Sequence, residues 1–177
     1  TAGIVALMFR PGANLRAEFD RRRLSLNSGA SAEILTQGDI AHLPSPVQNY
    51  IRRSGAVGKP RITSVHTMFD ATLYSAPGGA GMSGTAHQID IVDPPRRIFF
   101  MQTRMYGLPV AVLHDYDGDK ASMQVRLARL FNVVNLSGPE LSKAETVTIL
   151  NDLAAYAPAA LAWRQFGWKA IDGMQAA

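Results

Sequence analysis

The feature that most constrains the fold is a series of five strand-like segments between residues 61 and 127, joined by short turns. In the first segment Val65, Phe69 and Leu73 alternate with polar residues, and this period of two is typical of a strand with one apolar face. The predicted strands cover residues 61–74, 85–92, 97–106, 110–116 and 120–127. Parallel neighbours need long crossover connections, so we predict an antiparallel meander.

Two segments have the pattern of helices. Residues 43–55 place Val47, Tyr50 and Ile51 on one face, with Ser45 as the predicted N-cap and Gly55 as a left-handed C-terminal cap. Residues 140–156 form a longer predicted helix, residues 159–163 a short second one, and residues 165–174 the start of another strand. Residues 130–136 stay ambiguous. The prediction is an α+β fold: a curved, half-barrel-like antiparallel sheet with helices packed on one face.

Residues 1–40 are predicted to be a basic N-terminal arm or first helix, and residues 41–177 a single domain. Five arginines lie within the first 23 residues, which favours either a solvated surface or attraction to anionic lipid head groups. Residues 1–9 carry no charge and are mostly apolar. Two hypotheses stay open for them: the stub of a membrane anchor, which would bring the protein close to a membrane, or an ordinary buried segment or tail.

The composition excludes several classes of site. The chain has no cysteine, which excludes disulfides, thiolate metal sites and a cysteine nucleophile. The net charge is +4, but the basic cluster has no interleaved aromatic residues beyond Phe9 and Phe19, so we expect no nucleic-acid partner. The sequence assigns no cellular compartment, and membrane association is a hypothesis that depends on the N-terminal segment.

Large apolar residues lie on both faces of the third and fourth predicted strands. One face can pack beneath the long helix, and the other then needs cover from a second layer, a partner or a ligand. Methionine side chains adapt to irregular apolar ligands. The predicted ligand-binding residues are Phe99, Met101, Met105, Val112 and Met123; the alternative is that both faces are core.

Polar residues on the strands give weaker signals. His66, His87 and His114 could meet as a metal site with Asp90 or Asp115, but no local ligand spacing supports this, so we expect no metal and no other cofactor. No arrangement of nucleophile and base assigns a catalytic residue. The polar residues considered for the same cavity are His66, His87, Arg104 and Asp115.

A set of short motifs carries a family resemblance. They are Leu43-Pro44-Ser45-Pro46-Val47-Gln48-Asn49-Tyr50, then Ala86-His87-Gln88, Gly107-Leu108-Pro109-Val110 and Trp168-Lys169-Ala170-Ile171-Asp172. From about residue 41 to the end, the chain resembles an uncharacterised bacterial family, a domain of unknown function. The resemblance implies further strands beyond Ala177, so that residues 41–177 are expected to be an incomplete family domain, and it supplies no catalytic residues.

The predicted order of elements is also similar to that of periplasmic lipoprotein carriers, whose half-barrel holds acyl chains beneath a helical lid. On this basis we expect a non-enzymatic domain that binds a lipid-like or other apolar ligand. One alternative is an enzyme that uses the polar residues in the same cavity. Another is a membrane-anchored scaffold that binds a protein partner, including a second copy of the chain, through an exposed sheet edge.

Overall fold

The computed structural model describes residues 14–26, 31–74 and 76–163. Three α-helices and six strands form the framework, with 3₁₀ turns at Gly38–Ile40 and Pro158–Ala162. The helices are α1 (Leu15–Ser25), α2 (Ser45–Arg53) and α3 (Pro139–Tyr156). The strands are β1 (Ser64–Tyr74), β2 (Gly81–Ile91), β3 (Arg96–Met105), β4 (Leu108–Tyr116), β5 (Ala121–Leu127) and β6 (Phe131–Ser137).

The six strands form one antiparallel sheet in the order β1-β2-β3-β4-β5-β6. Each strand pairs with the next along the chain, as in the pair of Met101 with Val112 between β3 and β4. The α+β class with a curved antiparallel sheet is confirmed. The ambiguous segment before the long helix is the sixth strand, with a bulge where it passes Val125 and Arg126.

Two compact units divide the described residues: the first contains residues 14–26, 64–74 and 76–149, and the second contains residues 31–63 and 150–163. The first unit holds the sheet and α1. In the described part of the chain, no helix combines the length and the apolar character needed to cross a membrane. The strand predicted from residue 165 lies outside the described residues, as do residues 1–9.

In the first unit, helices contact both faces of the sheet. Helix α1 packs through Leu15 and Phe19 onto one face, which we call the α1 face; there the Phe19 and Phe100 rings stack at 5.4 Å. The first half of α3 contacts the opposite face, the α3 face, where Glu145 bonds Arg97. We expected helices on one face only, and the difference arises because α1 buries Leu15 and Phe19 against the sheet.

In the second unit, α2 packs through Ile51, which is fully buried with Leu35, Ile40 and Leu161. Gly55 has a φ of 73°, as a left-handed cap requires. The predicted N-cap is wrong by one residue: Pro44 occupies the cap position, and Ser45 is the first helical residue. The reason is that Pro44 keeps an extended ψ of 143°, from which the helix starts directly.

Candidate functional site

The five predicted apolar residues all lie on the α3 face. Phe99, Met101 and Met105 alternate along β3, Val112 pairs with Met101, and Met123 lies opposite His114, which pairs with Phe99. We call these five residues the apolar band. Phe99, Met101 and Val112 are buried in a cluster with Ala86 and Val110, whereas Met105 and Met123 are half-buried. The band therefore passes from core at its centre to partial exposure at its ends.

Apolar side chains continue beyond the band on the same face. The continuation is partly buried at Leu73, Val125 and Leu127, and it is about half exposed at Leu108 and Leu136. Exposed apolar patches of this kind mark sites that bind partners or ligands.

At the other end of the α3 face, a buried carboxylate connects α3 to the sheet. Glu145 accepts a hydrogen bond from the Arg97 guanidinium at 2.6 Å and lies 3.0 Å from the His114 Nδ1. A carboxylate can only accept, so Nδ1 carries the proton. The Arg97 and Glu145 side chains are more than nine-tenths buried. We call Arg97, His114 and Glu145 the Glu145 cluster.

Further polar contacts complete the surroundings of this cluster. Arg97 also donates to the Gln88 Oε1 at 3.0 Å, and Gln88 in turn donates to the fully buried Asp90 at 2.8 Å. Nearby, the Tyr116 hydroxyl lies 2.9 Å from the Thr146 hydroxyl. Buried polar groups need such partners because water is excluded. The contacts of Glu145 and Thr146 fix the first half of α3 on the sheet.

The pKa of Glu145 reflects opposing effects. Burial by itself raises the pKa, whereas the hydrogen bond from His114 and the positive charge of Arg97 lower it, and the net shift is downward. Glu145 is therefore ionised near neutral pH. The contact between the Glu145 carboxylate and Nδ1 fixes the orientation of the His114 ring.

The four predicted polar residues do not share the face of the apolar band. His66, His87, Arg104 and Asp115 pair with residues of the α1 face or lie in register with it. Asp115 forms an ion pair with Arg22 of α1, and the His87 ring lies 6.1 Å from that of Phe19. Burial and then the charge of Arg16 lower the pKa of His87. The hypothesis of one cavity lined by both sets of residues is therefore wrong, because strand alternation separates them.

Among the described residues, no group of three or more potential ligands could hold a metal ion. His114 belongs to the Glu145 cluster on the α3 face, whereas His66 and His87 lie on the opposite face of the sheet. The three histidines that were considered as a metal site therefore do not share a face of the sheet.

Sequence reasoning missed Arg97 and Glu145 as members of the polar cluster. One signal was available: Glu145 follows Leu141 by four residues and precedes Ile149 by four, which places a charge on the inner stripe of the predicted helix. Charged residues are rarely fully buried unless paired, so a buried partner could have been expected, although its identity could not.

The chain belongs to a family of unknown function, DUF6544, which matches residues 33–177. This match confirms the resemblance to an uncharacterised family. Comparisons with curated proteins and with solved structures give no match.

Proposed function

We propose that the first unit binds a lipid-like apolar ligand on the α3 face of its sheet. The observation that supports this most directly is the continuity of apolar side chains on one face, from buried Met101 to half-buried Met105 and half-exposed Leu108. If the apolar residues of this face served only as hydrophobic core, polar residues would be expected where the face becomes exposed to solvent.

The side chains suit a ligand of variable shape. Met105 and Met123 are unbranched and polarisable, and such side chains adjust to irregular apolar surfaces. The similarity to lipoprotein carriers noted from the order of elements is part of this proposal, and it rests on fold-level analogy. The polar boundary at His114 favours an amphiphile with its polar group toward the Glu145 cluster.

The proposal can be tested with a neutral apolar dye, 1-N-phenylnaphthylamine, and with a fluorescent fatty acid, cis-parinaric acid. Met105→Lys and Met123→Lys each place a positive charge beside the bound apolar ligand. The ligand offers no partner for that charge, so binding is weakened. We expect each variant to weaken binding of both probes at least about tenfold.

A matched control is available on the other face. Met68 is 69% exposed on the α1 face, so Met68→Lys makes the same chemical change away from the band. We expect it to bind both probes with the affinity of the unmodified chain. If the unmodified chain binds neither probe, or if all three variants bind equally well, the proposal is wrong.

A further inference from the structure

One end of the sheet carries three hairpin connections whose composition differs from that of the other end. These are residues 75–80, 106–107 and 128–130, which join β1 to β2, β3 to β4, and β5 to β6. We call this the basic end. In the sequence around these connections, residues 71–89, 99–114 and 121–139 contain three arginines and no aspartate or glutamate. The arginines are Arg104, Arg126 and Arg129.

The opposite end of the sheet is acidic. Residues 90–97 and 115–120, at the connections between β2 and β3 and between β4 and β5, contain more acidic than basic residues. The acidic residues are Asp90, Asp93, Asp115, Asp117 and Asp119, and the basic residues are Arg96, Arg97 and Lys120. The sheet is therefore electrically polar along its strands. Such a distribution orients a protein toward a negatively charged surface.

Large apolar side chains are exposed at the basic end as well. Tyr106 is 91% exposed, and the others are between about a third and two-thirds exposed. They are Tyr74, Leu108, Leu130 and Phe131. Tyrosine is enriched where proteins meet the interface of a bilayer, and leucine partitions into its acyl boundary.

Two of the hairpin connections contain residues whose φ angles are positive, a conformation that is unfavourable for residues other than glycine. Tyr106 and Gly107 have φ angles of 50° and 79°, and Ala128 and Arg129 have φ angles of 51° and 62°. Tight hairpins with positive φ are normally filled by Asn, Asp or Gly. In the described residues, all three non-glycine residues with positive φ lie at this end, and strained positions of this kind cluster at binding sites.

Arg104 and Arg129 line one groove of about 450 Å³, together with Ser83, Thr85 and Gln102. A second groove of about 150 Å³ contains Arg104, Met82, Met105 and Tyr106. The arginines can donate to phosphate oxygens, and the apolar residues lie beside them. The Thr85 hydroxyl donates to Asp70 at 3.1 Å and the Ser83 hydroxyl lies 2.8 Å from that of Thr72, so the arginines are the phosphate donors of this end.

We propose that the basic end docks on the surface of an anionic lipid bilayer. Arginines bind lipid phosphates there, while Tyr106 and Leu130 enter the interface. A nucleic acid would satisfy the arginines but would leave the exposed leucines without an apolar environment, so a bilayer fits better. This inference does not depend on ligand binding by the α3 face.

The test is flotation with vesicles of phosphatidylcholine alone and with vesicles that also contain phosphatidylglycerol. We expect binding only to the second kind, weakened by salt. Each arginine near such a surface contributes about 1 kcal/mol, so Arg104→Gln/Arg129→Gln is expected to lower the partition coefficient about 30-fold. Arg104 also donates to the Gly107 carbonyl, so Arg129→Gln alone is measured too, with an expected loss of about fivefold.

The control variant Lys120→Gln/Lys143→Gln removes the same charge from exposed positions away from the basic end. Its partition coefficient to anionic vesicles is expected to stay close to that of the unmodified chain. Replacing Tyr106 and Leu130 by serine is expected to weaken binding without changing the net charge. The proposal is overturned if the unmodified chain does not float with anionic vesicles, or if the arginine and lysine variants lose binding equally. It is also overturned if duplex DNA, rather than vesicles, binds through the two arginines.

Discussion

Loss of Glu145 is the sharpest test of how α3 is fixed to the sheet. Glu145→Leu removes the partner of Arg97 at 2.6 Å and of His114 at 3.0 Å, and it leaves the buried guanidinium of Arg97 without its closest carboxylate. Breaking a buried ion pair on one side costs about 3–5 kcal/mol. Asp90 stays 3.9 Å from the Arg97 Nε, so we expect the lower part of this range, about 3 kcal/mol.

In a chain of this length, a loss of about 3 kcal/mol corresponds to a fall in melting temperature of about 6–12 °C. Urea denaturation followed by far-UV circular dichroism measures the free energy of unfolding. Arg97→Met/Glu145→Leu removes both charges together and is expected to recover part of the loss, because apolar replacement of a buried pair is often neutral, whereas buried Asp90 then loses the guanidinium 3.9 Å away. Exposed Glu140 on the same helix gives the control: Glu140→Gln should change stability by less than about 0.5 kcal/mol. A loss below about 1 kcal/mol for Glu145→Leu, or no recovery in the double variant, would refute the reasoning.

Three further perturbations test the fold. A Cβ on Gly84 would lie 2.0 Å from the backbone oxygen of Gln102, so Gly84→Ala should lower the free energy of unfolding by about 1–3 kcal/mol, measured by urea denaturation; an unchanged midpoint would contradict this. Phe19→Ala should cost about 3–5 kcal/mol, whereas Leu24→Ala, at a side chain 78% exposed, should cost less than about 0.5 kcal/mol; thermal melts that rank them otherwise would show that α1 is not part of the core. Because the folded pKa of Glu145 is lowered from 4.5, its stabilisation is present above that pH and is lost as the pH falls through the lowered value, so melting curves of the unmodified chain and of Glu145→Leu should converge only in acid.

The strands could be predicted because their signals are local. Alternation and turn residues fixed β1 to β5 to within a few residues, and they also assigned Phe99, Met101 and Met105 to a single face. The sixth strand was ambiguous because its apolar residues do not alternate. The structure explains this irregularity by the bulge: Val125 pairs with Val134, and Arg126 pairs with Asn132, so Val133 is extra. A bulge breaks the period of two on which sequence reasoning depends.

The environment of α1 was harder to predict because its arginines dominate the pattern. Arg16 pairs with Asp20 at 3.1 Å and Arg22 with Glu18 at 2.6 Å, each within the helix. These ion pairs neutralise much of the helix's charge within the helix itself. Phe19 packs against Phe100. Of the apolar residues of this helix only Leu15 and Phe19 are buried, and they give a weak stripe, so only tertiary packing reveals that the helix covers the sheet.

The polar cluster depends on contacts between distant parts of the chain, and sequence patterns carry little information about these. Arg97 and Glu145 are 48 residues apart, and His114 and Glu145 are 31 apart. Alternation predicts which residues of β2 share a face with His87, and which residues of β3 share a face with Phe99. It could not say that the two faces are opposite, because this follows from the register of β2 with β3, in which His87 pairs with Phe100.

The two proposals meet at Met105, and variants on either side of this position can separate them. Met105 ends β3 at the basic end and precedes Tyr106, so a ligand that entered from a bilayer would reach the apolar band there first. Met123 pairs with His114, farther from that end. If both proposals hold, Met123→Lys should weaken probe binding and leave flotation unchanged, because it does not touch the docking surface. Arg104→Gln/Arg129→Gln should do the reverse, with slower transfer of cis-parinaric acid from anionic vesicles but unchanged affinity for the probe added in solution. Loss of both properties in either variant would mean that one surface serves both roles, which the separation of these residues along the sheet argues against.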